Sequence, residues 1–284
     1  MQLGDVASAL EALVPLVGLL AFFGATMLVF LARTLLVGRA HEPYVESRPT
    51  SFLSKFFQEW WIWLWTPMER ACLRLGISPD AITVASTAVT ALSGVLLAQG
   101  RLALGGWVFL FAASFDFIDG RVARATGQAS RAGAFLDSSL DRVGELFVLG
   151  GLAIAFRDGP VMYACLAASG ASLLVSYARA RGESLGAGDA AKVGGMQRPE
   201  RVVLTGVACA LSPLATAASG PGADRVLVGA ALALLAVLTA GTAARRTFSI
   251  YRALREAEPR AARPPFRLAA VFRLEPGRRG KAAR

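Results

Sequence analysis

Apolar residues in this chain fall in long blocks rather than at alternating or helical positions. Runs without a charge occupy 12–32, 81–100, 159–178, 202–223 and 226–244. Each is close to the roughly 20 residues a helix needs to cross a hydrocarbon core. Two more blocks, 102–115 and 146–156, are shorter and are extended by acidic residues. Backbone polar groups can be satisfied inside a bilayer only within helices or closed barrels. The pattern therefore predicts an all-α fold, a polytopic membrane helix bundle, with seven membrane segments at 10–33, 80–100, 102–123, 133–156, 159–179, 201–222 and 225–246.

The flanks read differently. Residues 51–66 carry Phe52, Phe56, Phe57, Trp60, Trp61, Trp63 and Trp65. That density suits an amphipathic helix lying at headgroup level, the other reading being a stripe packed on the core. From about Arg255 the chain turns to Arg, Pro and Ala, which reads as a disordered basic tail leaning on anionic lipid.

Composition sharpens this picture. The 284 residues are 55% hydrophobic and 18% charged, with a net charge of +10, as expected of an integral membrane protein. With the N-terminus outside, every one of the 30 lysines and arginines except Arg101, Arg142, Arg157 and Arg225 lies in or at the edge of a cytoplasmic part. This is the positive-inside pattern, and it predicts basic loops in the cytoplasm; the membrane expected is a bacterial inner (plasma) membrane. Because the basic residues are spread over several loops, nucleic acid is not an expected partner. Cys72, Cys165 and Cys209 lack a metal-ligand spacing and read as free thiols, and His41 is the only histidine. Catalysis by a Ser-His-Asp triad or a His-ligated metal is thereby disfavoured. The start, Met-Gln-Leu-Gly-Asp, lacks the basic residues of a cleavable signal and reads as a retained anchor.

Charges inside membrane segments are costly and mark function. Asp116 and Asp119 are three apart, and Asp137 and Asp141 are four apart, so each pair shares one helix face. A short connection with Gly127 and Gly133 predicts that the two helices are antiparallel neighbours whose four carboxylates converge. Such a cluster would repel itself unless neutralised. Hard oxygen ligands suit Mg²⁺ or Mn²⁺, and pairing with Arg121, Arg124 and Arg142 is the alternative. Gly120 and Ala123 leave room for a bulky ligand near the backbone.

The string Asp116-x2-Asp119-Gly120-x2-Ala123-Arg124-x8-Gly133-x3-Asp137-x3-Asp141 resembles the signature of the CDP-alcohol phosphotransferase (CDP-alcohol phosphatidyltransferase) family. The resemblance implies a six-helix catalytic core at 80–250. It leaves 1–37 as an extra transmembrane anchor, 38–79 as a cytoplasmic linker with the interfacial helix, and 251–284 as the tail. It implies a homodimer that transfers a phosphatidyl group from CDP-diacylglycerol to a small alcohol and releases CMP. Asp116, Asp119, Asp137 and Asp141 would hold two Mg²⁺ or Mn²⁺ ions, with Asp141 also the general base. Asp80, Thr83, Gly120, Ala123, Arg124, Ser130 and Gly133 would hold the CDP-lipid, although Asp80 also reads as a helix N-cap.

A second stretch carries Ser176-Tyr-Ala-Arg179-Ala-Arg181-Gly-Glu183 and then Gln197-Arg198-Pro199-Glu200-Arg201. Its arginines gather at one cytoplasmic rim, where a phosphorylated acceptor would need them. It resembles the phosphatidylinositol phosphate synthase branch, with Arg179 where that branch favours Lys and Gly182 where it favours Ala. Ser176, Arg179, Arg181, Arg198 and Arg201 would then bind the phosphate of inositol phosphate. Glycerol 3-phosphate is the alternative acceptor, and a non-enzymatic metal-binding membrane protein is the rival reading.

Overall fold

The computed structural model describes residues 3–38, 55–192 and 194–258. They form helices α1 (Leu3–Val37), α2 (Lys55–Arg74), α3 (Pro79–Ala98), α4 (Leu102–Ala125), α5 (Arg131–Ala155), α6 (Val161–Ser184), α7 (Gly188–Ala191), α8 (Arg198–Ala210), α9 (Ser212–Ser219) and α10 (Ala223–Ala257). The expected linker at 39–54, Phe52 within the aromatic stripe, and the tail beyond 258 lie outside the described residues.

Six helices close into a ring in the order α8, α4, α3, α5, α6, α10 and back to α8. Neighbours in the ring approach through small residues, as membrane helices do when lipid removes the hydrophobic drive to associate. A Cβ on Gly94 of α3 would collide with the carbonyl of Phe147 of α5, and one on Gly151 of α5 with the carbonyl of Gly94. A Cβ on Gly106 of α4 would lie 2.5 Å from the amide of Ala210 at the end of α8. Ser93 Oγ of α3 donates to the Gly105 carbonyl of α4 at 2.8 Å. One end of the ring is filled by side chains from all six helices, among them Leu97, Phe109, Leu152, Cys165, Cys209, Leu232 and Leu235. The opposite end is polar.

Four helices among the described residues, α3, α4, α6 and α10, are long and apolar enough to cross a membrane, and α8 with α9 would make a fifth. The expected single span at 201–222 is broken. Its halves bend by 43° at Leu211, because Pro213 has no N–H to continue the α8 ladder. The expected span at 133–156 is present as α5 but carries the charges of the acidic cluster. Of the expected N-terminal span, α1 carries the apolar stretch Ala21–Val37.

Two other expectations need correction. The last helix runs past the membrane segment expected at 225–246 to Ala257, so residues 251–257, expected in a disordered tail, are helical. Also, α4 and α5 are not direct neighbours. They hardly touch, because α3 lies between them and packs on both.

The helix expected at the interface is α2, and its aromatic stripe packs on α1. Phe23 of α1 meets the ring of Trp60 at 5.8 Å, and Phe30 meets Phe56 at 5.3 Å and Trp63 at 5.6 Å. Trp60 is buried. The stripe therefore docks the N-terminal helix, while Trp65, Met68 and Cys72 of α2 pack on Ile82 of α3 and Ile118 and Val122 of α4. Arg121 bonds Glu69 at 2.6 Å and ties α2 to α4.

Candidate active site

The polar end of the ring is built from helix termini. Ser78 caps α3, its Oγ accepting from the Ala81 amide at 3.3 Å. Asp80 is therefore not the N-cap but an exposed first-turn carboxylate. Ser130 caps α5, its Oγ accepting from the Gly133 amide at 3.0 Å. Gly133 lies in the first turn of α5 rather than in the loop, and a Cβ there would sit 3.2 Å from Ser130 Oγ and 3.3 Å from Asp80 Oδ1. Asp80, Ser130 and Gly133 thus come together across the α3–α5 seam.

The acidic groups of α4 and α5 come close enough for one guanidinium to bridge them, and α3 positions the α4 pair with its own hydroxyls. Thr83 Oγ1 donates to Asp119 Oδ2 at 2.7 Å, and Ser86 Oγ donates to Asp116 Oδ1 at 2.9 Å. Thr83 is buried, so its hydroxyl holds a carboxylate instead of lying open for a nucleotide. The Gly120 amide donates to Asp119 Oδ1 at 2.5 Å. Gly120 is flanked by the Arg124 guanidinium, 3.4 Å from where a Cβ would be. Half-buried Ala123 follows on the same helix.

Repulsion acts among the carboxylates: Asp119 feels Asp116 and Asp137, and Asp141 feels Asp116 and Asp137. The counter-charge comes from an unexpected direction. Arg198, the first residue of α8, forks between Asp116 Oδ2 at 2.5 Å and Asp141 Oδ1 at 2.8 Å. Of the arginines considered as alternative partners, Arg121 pairs with Glu69, Arg142 donates to the Ser138 carbonyl of its own helix, and Arg124 lies over Gly120. Among the described residues, no three acidic, histidine or cysteine side chains form a ready-made metal cage. The donor chemistry nevertheless fits divalent cations. Arg198 bridges Asp116 and Asp141 while Asp119 and Asp137 stand on the same helices, so negative charge is left over, and the ligand atoms of these four side chains are hard oxygens.

A cavity of about 410 Å³ opens beside Asp141. Its wall includes Arg142, Ser176, Arg179, Lys192, Arg198, Arg201 and Arg246, set against Asp141 and Glu145. Ser176, Arg179, Arg198 and Arg201 are thus brought together as the sequence suggested. Arg181 is not, because it is exposed on another face of α6 and does not line the cavity. Arg179 is half exposed and pairs with Glu183 at 3.0 Å. Arg201 is buried, and its fork closes on Glu145 at 2.5 and 2.8 Å. Its main partner is therefore an internal carboxylate. Glu145, Lys192, Gln197 and Arg246 were missed by the sequence reading. Glu145 continues the face of Asp137 and Asp141 at the next i+4 step, and that spacing could have revealed it.

Residues 76–219 match the family described as CDP-alcohol phosphatidyltransferase. Among similar proteins, phosphatidylinositol phosphate synthase of Streptomyces avermitilis is 34% identical over 229 residues, which are 78% of this chain and 90% of that protein. The enzyme of the same name from Mycobacterium tuberculosis is 36% identical over 194 residues, 66% of this chain and 85% of that protein. A crystal structure of the M. tuberculosis enzyme with CDP-DAG bound superposes with a TM-score of 0.58 at 30% identity, covering 70% of this chain and 96% of that one. Its complex with manganese and citrate superposes with a TM-score of 0.59 at 29% identity, covering 70% and 92%.

Proposed function

The chain belongs to the CDP-alcohol phosphatidyltransferase family, and on that premise we propose that it transfers the phosphatidyl group of CDP-diacylglycerol to inositol phosphate and releases CMP. The observation that carries this reading is the fork of Arg198, which joins the acidic cluster to the basic cavity through Asp116 and Asp141. One residue thus touches both the group that would activate a hydroxyl and the place where that hydroxyl's own phosphate would lie.

The donor's diphosphate would lie between the Asp80, Ser130 and Gly133 seam and the Gly120, Ala123 and Arg124 stretch of α4, and Arg124 can present two parallel N–H groups to a phosphate. Mg²⁺ or Mn²⁺ held by Asp116, Asp119, Asp137 and Asp141 would supply charge neutralisation and orientation of phosphate oxygens. Ser176, Arg179 and Arg198 would hold the acceptor's phosphate in the cavity, with Arg201 stiffening the wall behind them. Arg198 can carry its fork from the carboxylates to that phosphate, since both lie within reach of one side chain. Asp141, on the cavity wall, is placed to accept the proton of the attacking hydroxyl. The new P–O bond forms to the lipid-bearing phosphorus, the bridging P–O bond breaks, and CMP leaves with the electron pair. Most of the rate enhancement in such a site comes from positioning and electrostatics.

The same reading places the polar end of the ring at the cytoplasmic face of a bacterial inner membrane, with the N-terminus outside and the protein a homodimer. The basic residues of 179–201 at that end support the orientation. The deciding experiment measures CMP release from CDP-diacylglycerol with inositol phosphate and with glycerol 3-phosphate, each with Mg²⁺ or Mn²⁺. Turnover with inositol phosphate well above that with glycerol 3-phosphate is expected. Equal or faster turnover with glycerol 3-phosphate overturns the acceptor assignment.

A further inference from the structure

Glu69 of α2 and Arg121 of α4 form an ion pair that the chemistry above does not use. Arg121 Nε donates to Glu69 Oε2 at 2.6 Å, and the side chains are 17% and 12% exposed. Charges withdrawn that far from water are costly to hold, in a membrane helix above all. Each partner of this pair stands a short step from a different side of the gap read as the donor site.

Arg121 follows Gly120 directly and lies three residues before Arg124. Residues two apart on a helix point to nearly opposite sides. Asp119 is accordingly turned to Thr83 of α3, and Arg121 to Glu69 of α2. The Arg121 guanidinium also lies over the Phe117 ring of its own helix, 5.7 Å from the centroid.

Glu69 belongs to the last two turns of α2, which pass into α3 through a closed turn. The amides of Leu75, Gly76 and Ile77 bond back to the carbonyls of Ala71, Leu73 and Cys72 at 3.0, 3.3 and 3.0 Å. Gly76 has φ +64°, the left-handed geometry that ends many helices. Ser78 then caps α3, and Asp80 stands in its first turn. Because this turn is bonded throughout, the place of the α2 end is passed on to Asp80. Met68 and Cys72 hold that end by apolar contact with α3 and α4, which has no direction of its own. The fork between Glu69 and Arg121 adds a directional contact at the same level.

We propose that the Glu69–Arg121 pair is a positioning strut for the CDP group of the donor. It joins the helix end that leads to Asp80 to the stretch of α4 that carries Gly120 and Arg124. It thereby sets the width of the gap in which the diphosphate would lie. Both residues act through Asp80 and Arg124 and do not touch the nucleotide. The inference rests on the reading of that gap as the donor site.

The test compares the wild type, Glu69→Gln, Arg121→Gln and the Glu69→Gln/Arg121→Gln double variant in detergent micelles with Mg²⁺. Binding of CDP, which is soluble and needs no acceptor, is titrated by calorimetry. CMP release is then measured with CDP-diacylglycerol and inositol phosphate varied in turn. A strut raises the CDP Kd and the CDP-diacylglycerol KM together by about three- to tenfold in each single variant, while the acceptor KM and kcat change by less than about twofold. The double variant is no worse than the poorer single variant, because both substitutions cut one contact. An unchanged CDP Kd, additive defects, or equal losses in kcat and both KM values overturn the proposal. If neither single variant folds, Glu69→Asp decides alone, since it shortens the strut and keeps its charge: an unchanged CDP Kd refutes the proposal. If the wild type binds CDP but prefers glycerol 3-phosphate, the acceptor reading fails and the CDP Kd still judges the pair. A wild type that binds no CDP removes the premise and the proposal together.

Discussion

Glu145→Gln tests whether the cavity wall depends on an internal charge pair. The side chain of Arg201 is 4% exposed and that of Glu145 is 14% exposed, and two N–H donors meet the carboxylate at 2.5 and 2.8 Å. Removing the carboxylate charge leaves a nearly buried guanidinium without its counter-charge. The cost of breaking such a buried pair from one side is about 3–5 kcal/mol. By contrast, Arg179 and Glu183 are 53% and 47% exposed, and Glu183→Gln should cost roughly 0–1 kcal/mol, as solvated pairs do. Cys165 and Cys209 are buried in the apolar end of the ring, so a thiol-reactive fluorophore in a thermal ramp reports its unfolding. A loss of 3–5 kcal/mol should lower the midpoint by roughly 10 °C, and the Glu183 control should stay within about 3 °C. Replacing both partners, as Glu145→Leu with Arg201→Met, should recover much of the loss, because no charge is then left unpaired. Equal, small shifts for Glu145→Gln and Glu183→Gln would refute the argument that burial decides the worth of this pair.

Asp141→Asn should lower CMP release by about 10²–10⁴-fold if Asp141 is the base, while membrane insertion and thermal midpoint stay near wild type. Ser86→Ala and Thr83→Val remove the hydroxyls on Asp116 and Asp119; each should weaken Mn²⁺ binding, read by electron paramagnetic resonance, by about 10–100-fold. Chelation should abolish CMP release, and added Mg²⁺ or Mn²⁺ should restore it. Gly151→Ala places a methyl on the Gly94 carbonyl and should cost about 1–3 kcal/mol in the same thiol-reactivity ramp.

The apolar blocks were legible because a membrane span imposes length and composition together. What they could not reveal was which helices touch. The short α4–α5 connection pointed to contact, yet α3 intervenes, because Ser86, Ser93, Thr90 and Gly94 make it the helix both neighbours can approach closely. The aspartates were legible from spacing alone, since three- and four-residue steps put them on faces. Arg198 as their counter-ion was not, because it arrives from a helix 57 residues further along than Asp141, and a basic residue near a membrane end looks the same whether it anchors or reaches inward. Arg246 was overlooked for that reason: beside Arg245 it reads as a basic flank, yet it is buried and bonds the Val175 carbonyl and Gln197. Thr83 and Ser130 both lie at the polar end, but Thr83 turns to a carboxylate because its face of α3 looks toward α4.

The packed end of the ring bears on the rival reading of a non-enzymatic metal-binding membrane protein. Leu97 and Leu152 are 0% exposed, and Leu232 and Leu235 are 1% exposed. They shut the bottom of the bundle, so the arrangement is a cup and not a pore. Ions gathered by its anionic rim have no dry passage onward, and a cell can maintain such a concentration of charge at one face of its membrane without leaking its electrochemical gradient.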